Sequence, residues 1–86
     1  SHTNALTQGV FGVSEVAQRL YSYINSSLVL DTATTVATNY TSPELDVLSA
    51  VRSAFTVGGW QYIELRPFTT TAVCLQAQLK ITYVEA

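Results

Sequence analysis

Few side chains in this sequence have the chemistry that catalysis or metal binding requires. His2 is the only histidine and Cys74 the only cysteine among the 86 residues. His2 lies close to the start of the chain, where side chains are rarely held in place as a general base or a metal ligand must be. A nucleophilic Cys74 would need a base beside it, and His2 is the only imidazole. We therefore interpret Cys74 as a small filler and predict no catalytic residue, no metal site and no cofactor.

The acidic residues do not form a catalytic set either. Glu44 and Asp46 lie two positions apart near a predicted helix start, where the helix dipole and capping explain them. The sequence around Gly58 and Gly59 lacks the further glycines and the lysine of a phosphate-binding loop. We therefore predict that the protein is not an enzyme.

The most promising surface residues are aromatic. Trp60, Tyr62 and Glu64 have the same parity in a predicted strand, which places two aromatic rings and a carboxylate on one face. Tryptophan and tyrosine are enriched in protein interfaces. We therefore predict that these three residues bind a partner protein. The alternative is a solvent-exposed edge strand with Glu64 opposite Lys80 or near Arg66.

The composition excludes several classes of protein. Charged residues make up 12% of the chain, about half of the usual fraction, and the net charge is −2. Its four scattered basic residues argue against nucleic-acid binding, and no apolar run approaches the ~20 residues of a membrane span. A mean hydropathy of +0.23 argues against disorder. The N-terminus resembles no signal peptide, so we expect a cytoplasmic protein or a component of a virion or other assembly.

Two helices are predicted to provide half of the fold. Over 14–26, Ser14 is a suitable N-cap, and the apolar residues Val16, Leu20 and Ile24 recur at helical spacing. Over 43–56, the sequence 41–44 reads as a capping box with a proline in the first turn, and two glycines follow the last apolar residue.

Strands are predicted on either side of the second helix. Residues 28–41 are rich in threonine and valine and favour an extended edge segment, although the first helix extended to Thr32 is the alternative. A strand over 60–66 ends at Pro67. In the last strand, 73–84, apolar residues occupy one parity and mostly polar residues the other, which is typical of one buried and one solvated face.

These elements predict one α+β domain over 1–86, with 1–9 as a flexible tail. Two helices pack on a small antiparallel sheet that ends in a C-terminal β-hairpin. Such a small sheet has exposed edges that invite pairing with another chain.

Three functional hypotheses follow. The first is a non-enzymatic structural or assembly protein that associates with itself as a homo-oligomer or docks into a larger complex, for example a small virion, capsid or phage tail subunit. The second is a small protein-binding module or inhibitor that uses Trp60 and Tyr62. The third is an enzyme or small-ligand domain with a site between subunits.

Overall fold

The structure is a computed structural model that describes residues 5–32, 39–56, 60–69 and 71–84. The described chain is mostly β-structure. Its elements are β1 (Ala5–Ala17), β2 (Leu20–Ile24), β3 (Ser27–Asp31), β4 (Leu45–Asp46), α1 (Leu48–Thr56), β5 (Ile63–Pro67) and β6 (Val73–Val84).

Two three-stranded sheets contain these strands, and every pairing is antiparallel. The first sheet has the order β4-β1-β6, and the second has the order β3-β2-β5. The predicted α+β class, with two helices on one sheet, is therefore wrong, because the described residues contain one short helix and two sheets. The described part of the predicted flexible tail, from Ala5 onwards, begins β1.

The first predicted helix, 14–26, is instead the end of β1, all of β2 and the turn that follows. In β2, Leu20, Ser22 and Ile24 are buried while the residues between them are half-buried, which is the alternation of a strand. A spacing of four residues is compatible with a helix and is also an even number, so Val16, Leu20 and Ile24 share a face in either structure. The spacing that suggested a helix thus did not discriminate between the two.

A two-residue turn, Asn25-Ser26, connects β2 to β3. Ile24 pairs with Ser27, and both turn residues have positive φ angles, of 50° and 72°. Positive φ at both central positions is what a type I′ hairpin turn requires, and asparagine tolerates it. The extended reading of the segment that starts at residue 28 is confirmed as far as Asp31, and β3 is an edge strand. Residues 33–38 of that segment lie outside the described ranges.

The second predicted helix is correct at its end but starts too early. Helix α1 begins at Leu48, whose N–H donates to the Asp46 carboxylate at 3.0 Å. The residues read as a capping box pair with β1 instead: Ser42 N–H donates to the Val13 carbonyl and Ser42 Oγ accepts the Val13 N–H, both at 2.9 Å. These polar groups therefore satisfy the edge of β1 rather than the start of a helix.

The predicted C-terminal hairpin is wrong, although both of its strands exist. Strand β6 spans the predicted residues but pairs with β1, from Val73 opposite Ala17 to Val84 opposite Ala5. Strand β5 pairs with β2 in the other sheet. The segment after Pro67 therefore crosses from one sheet to the other instead of folding β6 back onto β5.

The core follows β1, whose buried residues change parity twice along its length. Gly9, Phe11 and Val13 are buried at one parity, whereas Leu6 and Val16 are buried at the other. An extra residue in the β1–β6 ladder between Leu6 and Gln8 and a positive φ of 52° at Glu15 mark the two changes. The face of β1 that carries Gly9 packs against α1.

Helix α1 packs closely on β1 at Gly9. A Cβ atom at this position would lie 3.2 Å from Cγ2 of Val51 and 3.5 Å from Cα of Leu48. Val51 is fully buried and belongs to the same cluster as Phe11 and Val47. The missing side chain thus allows the helix to cover the centre of the first sheet.

Candidate functional site: the exposed strands and the arginine–aromatic face

The three predicted partner-binding residues lie in or just before β5. The side chains of Trp60 and Tyr62 are 80% and 67% exposed, and Glu64 is also exposed. Glu64 lies opposite Tyr23 in the ladder and accepts hydrogen bonds from the Arg66 guanidinium at 2.9 and 3.1 Å. Of its two expected neighbours, Glu64 therefore has Arg66. Lys80 lies in the other sheet, 3.8 Å from Glu44.

Asn25 holds the segment that carries Trp60 and Tyr62 against the body of the protein. Its Oδ1 accepts the Tyr62 N–H at 2.9 Å, and its own N–H donates to the Tyr62 carbonyl at 2.8 Å. Its Nδ2 donates to Gln61 Oε1 at 2.8 Å and to the Ala50 carbonyl at 3.0 Å. A single turn residue therefore connects the β2–β3 hairpin, α1 and the start of β5.

The outer face of the second sheet carries arginine side chains stacked on aromatic rings. The guanidinium of Arg66 lies 4.7 Å from the centre of the Tyr23 ring. That of Arg19 lies 4.2 Å from the Phe68 ring and 5.5 Å from the Tyr21 ring, and these two rings meet edge to face at 6.0 Å. We call this set the arginine–aromatic face: Arg19, Tyr21, Tyr23, Arg66 and Phe68.

Carboxylates neutralise both arginines of this face. Asp31 accepts two hydrogen bonds from Arg19, at 2.9 and 3.0 Å, and Glu64 accepts two from Arg66. The hydrogen bond that Arg19 donates to Asp31 raises the pKa of Arg19, and the hydrogen bond that Arg66 donates to Glu64 raises the pKa of Arg66. The face therefore offers aromatic and guanidinium surface with balanced charge, which suits contact with protein rather than with phosphate.

The sequence did not predict the arginine–aromatic face. Of the predicted site residues, only Glu64 touches it, through its hydrogen bonds with Arg66. The predicted helix over 14–26 contains Tyr21 and Tyr23 and so separates them from β5. Their alternation with Leu20, Ser22 and Ile24 is the signal that indicates a strand with two tyrosines on one side.

The free edge of β6 is the second exposed region. β6 ends the order β4-β1-β6, and its outer side has no paired strand among the described residues. Leu75 is 68% exposed, and Val73, Tyr83 and Val84 are also exposed large apolar residues. The apolar parity of β6 is predicted to form a buried face, but most of its residues are exposed. Only Leu79 and Ile81 among them are half-buried. A long edge strand with apolar side chains is a template for pairing with another chain.

An open apolar cleft of about 130 Å³ lies between the end of β5 and the start of β6. Leu20, Leu65, Pro67, Ala72 and Cys74 line it. Leu65 and Ile63 lie opposite the buried Ser22 and Ile24 and so belong to the inner face of the second sheet, yet both remain exposed. The core is consequently closed along β1 and β2 and open along β5 and β6.

Cys74 is the one residue of the His2 and Cys74 pair that the structure describes. Cys74 is half-buried, and its thiol donates to the Gln76 carbonyl at 3.2 Å. His2 lies outside the described residues. Within the described ranges, no three histidine, cysteine or acidic side chains come together as a metal site would require. No helix in that part of the chain is long and apolar enough to span a membrane.

A polar groove of about 110 Å³ runs across the other face of the first sheet. Ser14, Ser42, Glu44, Gln78 and Lys80 are among the residues that line it. The hydroxyl of Ser42 is already used by the Val13 N–H and the Pro43 carbonyl. The groove is therefore a hydrogen-bonding surface without a buried or strained reactive group.

Comparisons of the chain with protein-family models, with curated proteins and with solved structures found no match. The exposed strands and the arginine–aromatic face are therefore the features from which we infer a function.

Proposed function

We propose that this chain is a non-enzymatic assembly protein that works by self-association or by docking into a larger protein complex. The observation that carries the proposal is the free edge of β6, a 12-residue strand with apolar side chains exposed along it. In proteins that remain monomeric, edge strands are usually short, carry charged residues or are covered by another element. Lys80 is the only charged residue in β6.

The composition supports the same proposal. A small net charge and few charged side chains favour association between copies, because repulsion between like-charged surfaces is weak. Interface cores are also depleted in charged residues. A small subunit of a virion, capsid or phage tail is the kind of assembly that we have in mind.

The proposal is tested by the mass of the protein in solution. We expect light scattering on a sizing column, from micromolar to millimolar concentration, to give a fixed multiple of the 9.3 kDa chain mass. A monomer at every concentration would contradict self-association and would leave docking into a complex of other proteins as the form of the proposal to test.

The second candidate function is a small protein-binding module or inhibitor, favoured by the exposure of Trp60 and Tyr62. Their segment is anchored through its backbone by Asn25, so the two side chains are presented without contributing to the core. The double substitution Trp60→Ala and Tyr62→Ala should then abolish the retention of partner proteins and leave the thermal midpoint unchanged. Leu75→Ala, an exposed position on the other sheet, is the matched control. Equal retention by the double variant and the wild type would remove this surface from consideration.

A further inference from the structure

The outer edge of β6 presents its backbone polar groups in an order that can be deduced from β1. The Gly9 carbonyl accepts a hydrogen bond from Val47 and the Val13 carbonyl accepts one from Ser42, so both residues direct their polar groups away from β6. In an antiparallel ladder, two residues that lie opposite each other without exchanging hydrogen bonds both direct their N–H and C=O groups away from the partner strand. Ile81 faces Gly9 and Ala77 faces Val13. Their N–H and C=O groups therefore point to the free edge.

Leu79 completes this row, because it lies between Ala77 and Ile81 and faces Phe11 in the same register. All three residues are apolar. Their side chains lie on the same face of the first sheet as those of their β1 partners, and this is the face that packs on α1. The residues between and beside them, Gln76, Gln78, Lys80 and Thr82, are polar and lie on the opposite face. An antiparallel partner strand that keeps its apolar side chains on the same face as those of β6 needs the same alternation. Its apolar residues must be the ones whose N–H and C=O groups point towards β6.

A second copy of β6 supplies that alternation. We propose that β6 pairs with β6 of another copy, antiparallel, about a two-fold axis at Leu79; this inference builds on the proposed assembly function. Leu79 then lies opposite Leu79 of the second copy, and Ala77 lies opposite its Ile81. The ladder extends over 74–84 of both strands and joins the two sheets into one of six strands, with both apolar faces on the same side.

Charge disfavours the neighbouring register centred on Lys80. Moving the axis by one residue to Lys80 would place the two lysines directly opposite each other, and like charges in that position are destabilising. With the axis at Leu79, Lys80 lies opposite Gln78 of the second copy. Moving the axis further, to Ile81, shortens the overlap to 78–84 and leaves the outward groups of Ala77 without a strand partner.

The proposed edge is tested by Ala77→Pro. Proline removes an N–H that points to the free edge and no hydrogen bond of the β1–β6 ladder, so the domain should keep its fold while the dimer is lost. We expect twice the chain mass for the wild type and the single-chain mass for Ala77→Pro by light scattering. Both should give the same circular dichroism spectrum. Ala77→Val keeps the N–H and is the matched control, which should remain dimeric.

The register is tested at Gln78. Gln78→Glu would place two carboxylates opposite the two Lys80 side chains and should tighten the dimer about tenfold at low salt, whereas Gln78→Lys should weaken it by a similar factor. Equal dissociation constants for both variants would overturn the Leu79 axis.

The outcomes separate this inference from the assembly function. A wild-type dimer that persists in folded Ala77→Pro overturns the β6 edge as the interface and leaves self-association established. A wild-type protein that is monomeric at millimolar concentration overturns the β6 pairing itself. The assembly function is overturned as well only if this monomer also joins no larger complex.

Discussion

Strands β1 and β6 pair along almost their whole length and have similar apolar content, yet their surroundings are opposite. Phe11 in β1 is 1% exposed, whereas the large apolar residues of β6 range from half-buried to mostly exposed. β1 lies between two strands and beneath α1, while β6 has one neighbouring strand among the residues that the structure describes. The position of a strand in the sheet order, rather than its sequence pattern, thus decides how much of its apolar face is covered.

The largest difference between the two strands should appear when matched residues are truncated. Phe11→Ala removes a fully buried ring and should lower the free energy of unfolding by about 3–5 kcal/mol. Leu79→Ala, directly opposite in the ladder but half-buried, should cost about 1 kcal/mol. Urea denaturation at a concentration where the protein is monomeric measures both. Equal losses would contradict the contrast between a covered and an open strand.

The next effect concerns the connection between the closed core and exposed β5. Asn25→Ala removes the side-chain hydrogen bonds to Gln61, Tyr62 and Ala50 and places alanine at a positive φ, so we expect a loss of about 2 kcal/mol. Asn25→Gly loses the same bonds but tolerates the backbone conformation. Thermal unfolding of the two variants separates the side-chain contribution from the backbone contribution. A fully stable Asn25→Ala would show that β5 does not depend on this turn.

A smaller effect of opposite sign is expected in the core of β2. Ser22 is fully buried, and its hydroxyl has no hydrogen-bond partner in the part of the chain that the structure describes. Ser22→Ala removes this unsatisfied group and should stabilise the protein by about 1 kcal/mol, as seen in a shifted denaturation midpoint with an unchanged slope. Destabilisation by the same substitution would indicate that the hydroxyl is satisfied in solution.

The smallest effect is expected on the exposed strand. Leu75→Gln replaces a mostly exposed apolar side chain and should change the free energy of unfolding by less than about 0.5 kcal/mol. The measurement is the same urea titration. A loss comparable to that of Phe11→Ala would mean that the β6 surface is covered in the folded protein.

Some of the fold could be predicted from local patterns. The strict alternation over 73–84 predicted β6, and the glycines after residue 57 predicted where the second helix ends. The first helix was wrong because Val16, Leu20 and Ile24 satisfy both periodicities. The parity changes of β1 also depend on a bulge and on a positive φ at Glu15, for which the sequence offers no turn residue.

The surfaces could be predicted in part. Trp60, Tyr62 and Glu64 were singled out because they share a parity in the predicted strand and because tryptophan and tyrosine are enriched in protein interfaces. Arg19 and Tyr21 did not, since their contact with Phe68 joins residues that are far apart in the chain. Whether any of these residues binds a partner stays a prediction that the variants above test.

The sequence by itself determined the local properties of this protein: its low charge, its single histidine and single cysteine, and the amphipathic character of the last strand. These depend only on residue types and their spacing. The tertiary structure alone decided that β5 and β6 belong to different sheets, that two tyrosines face two arginines and that the apolar row of β6 lies at an open edge. Strand partners are chosen among segments distant in the chain, because every strand offers the same backbone hydrogen bonds and only the packing of the whole distinguishes between them.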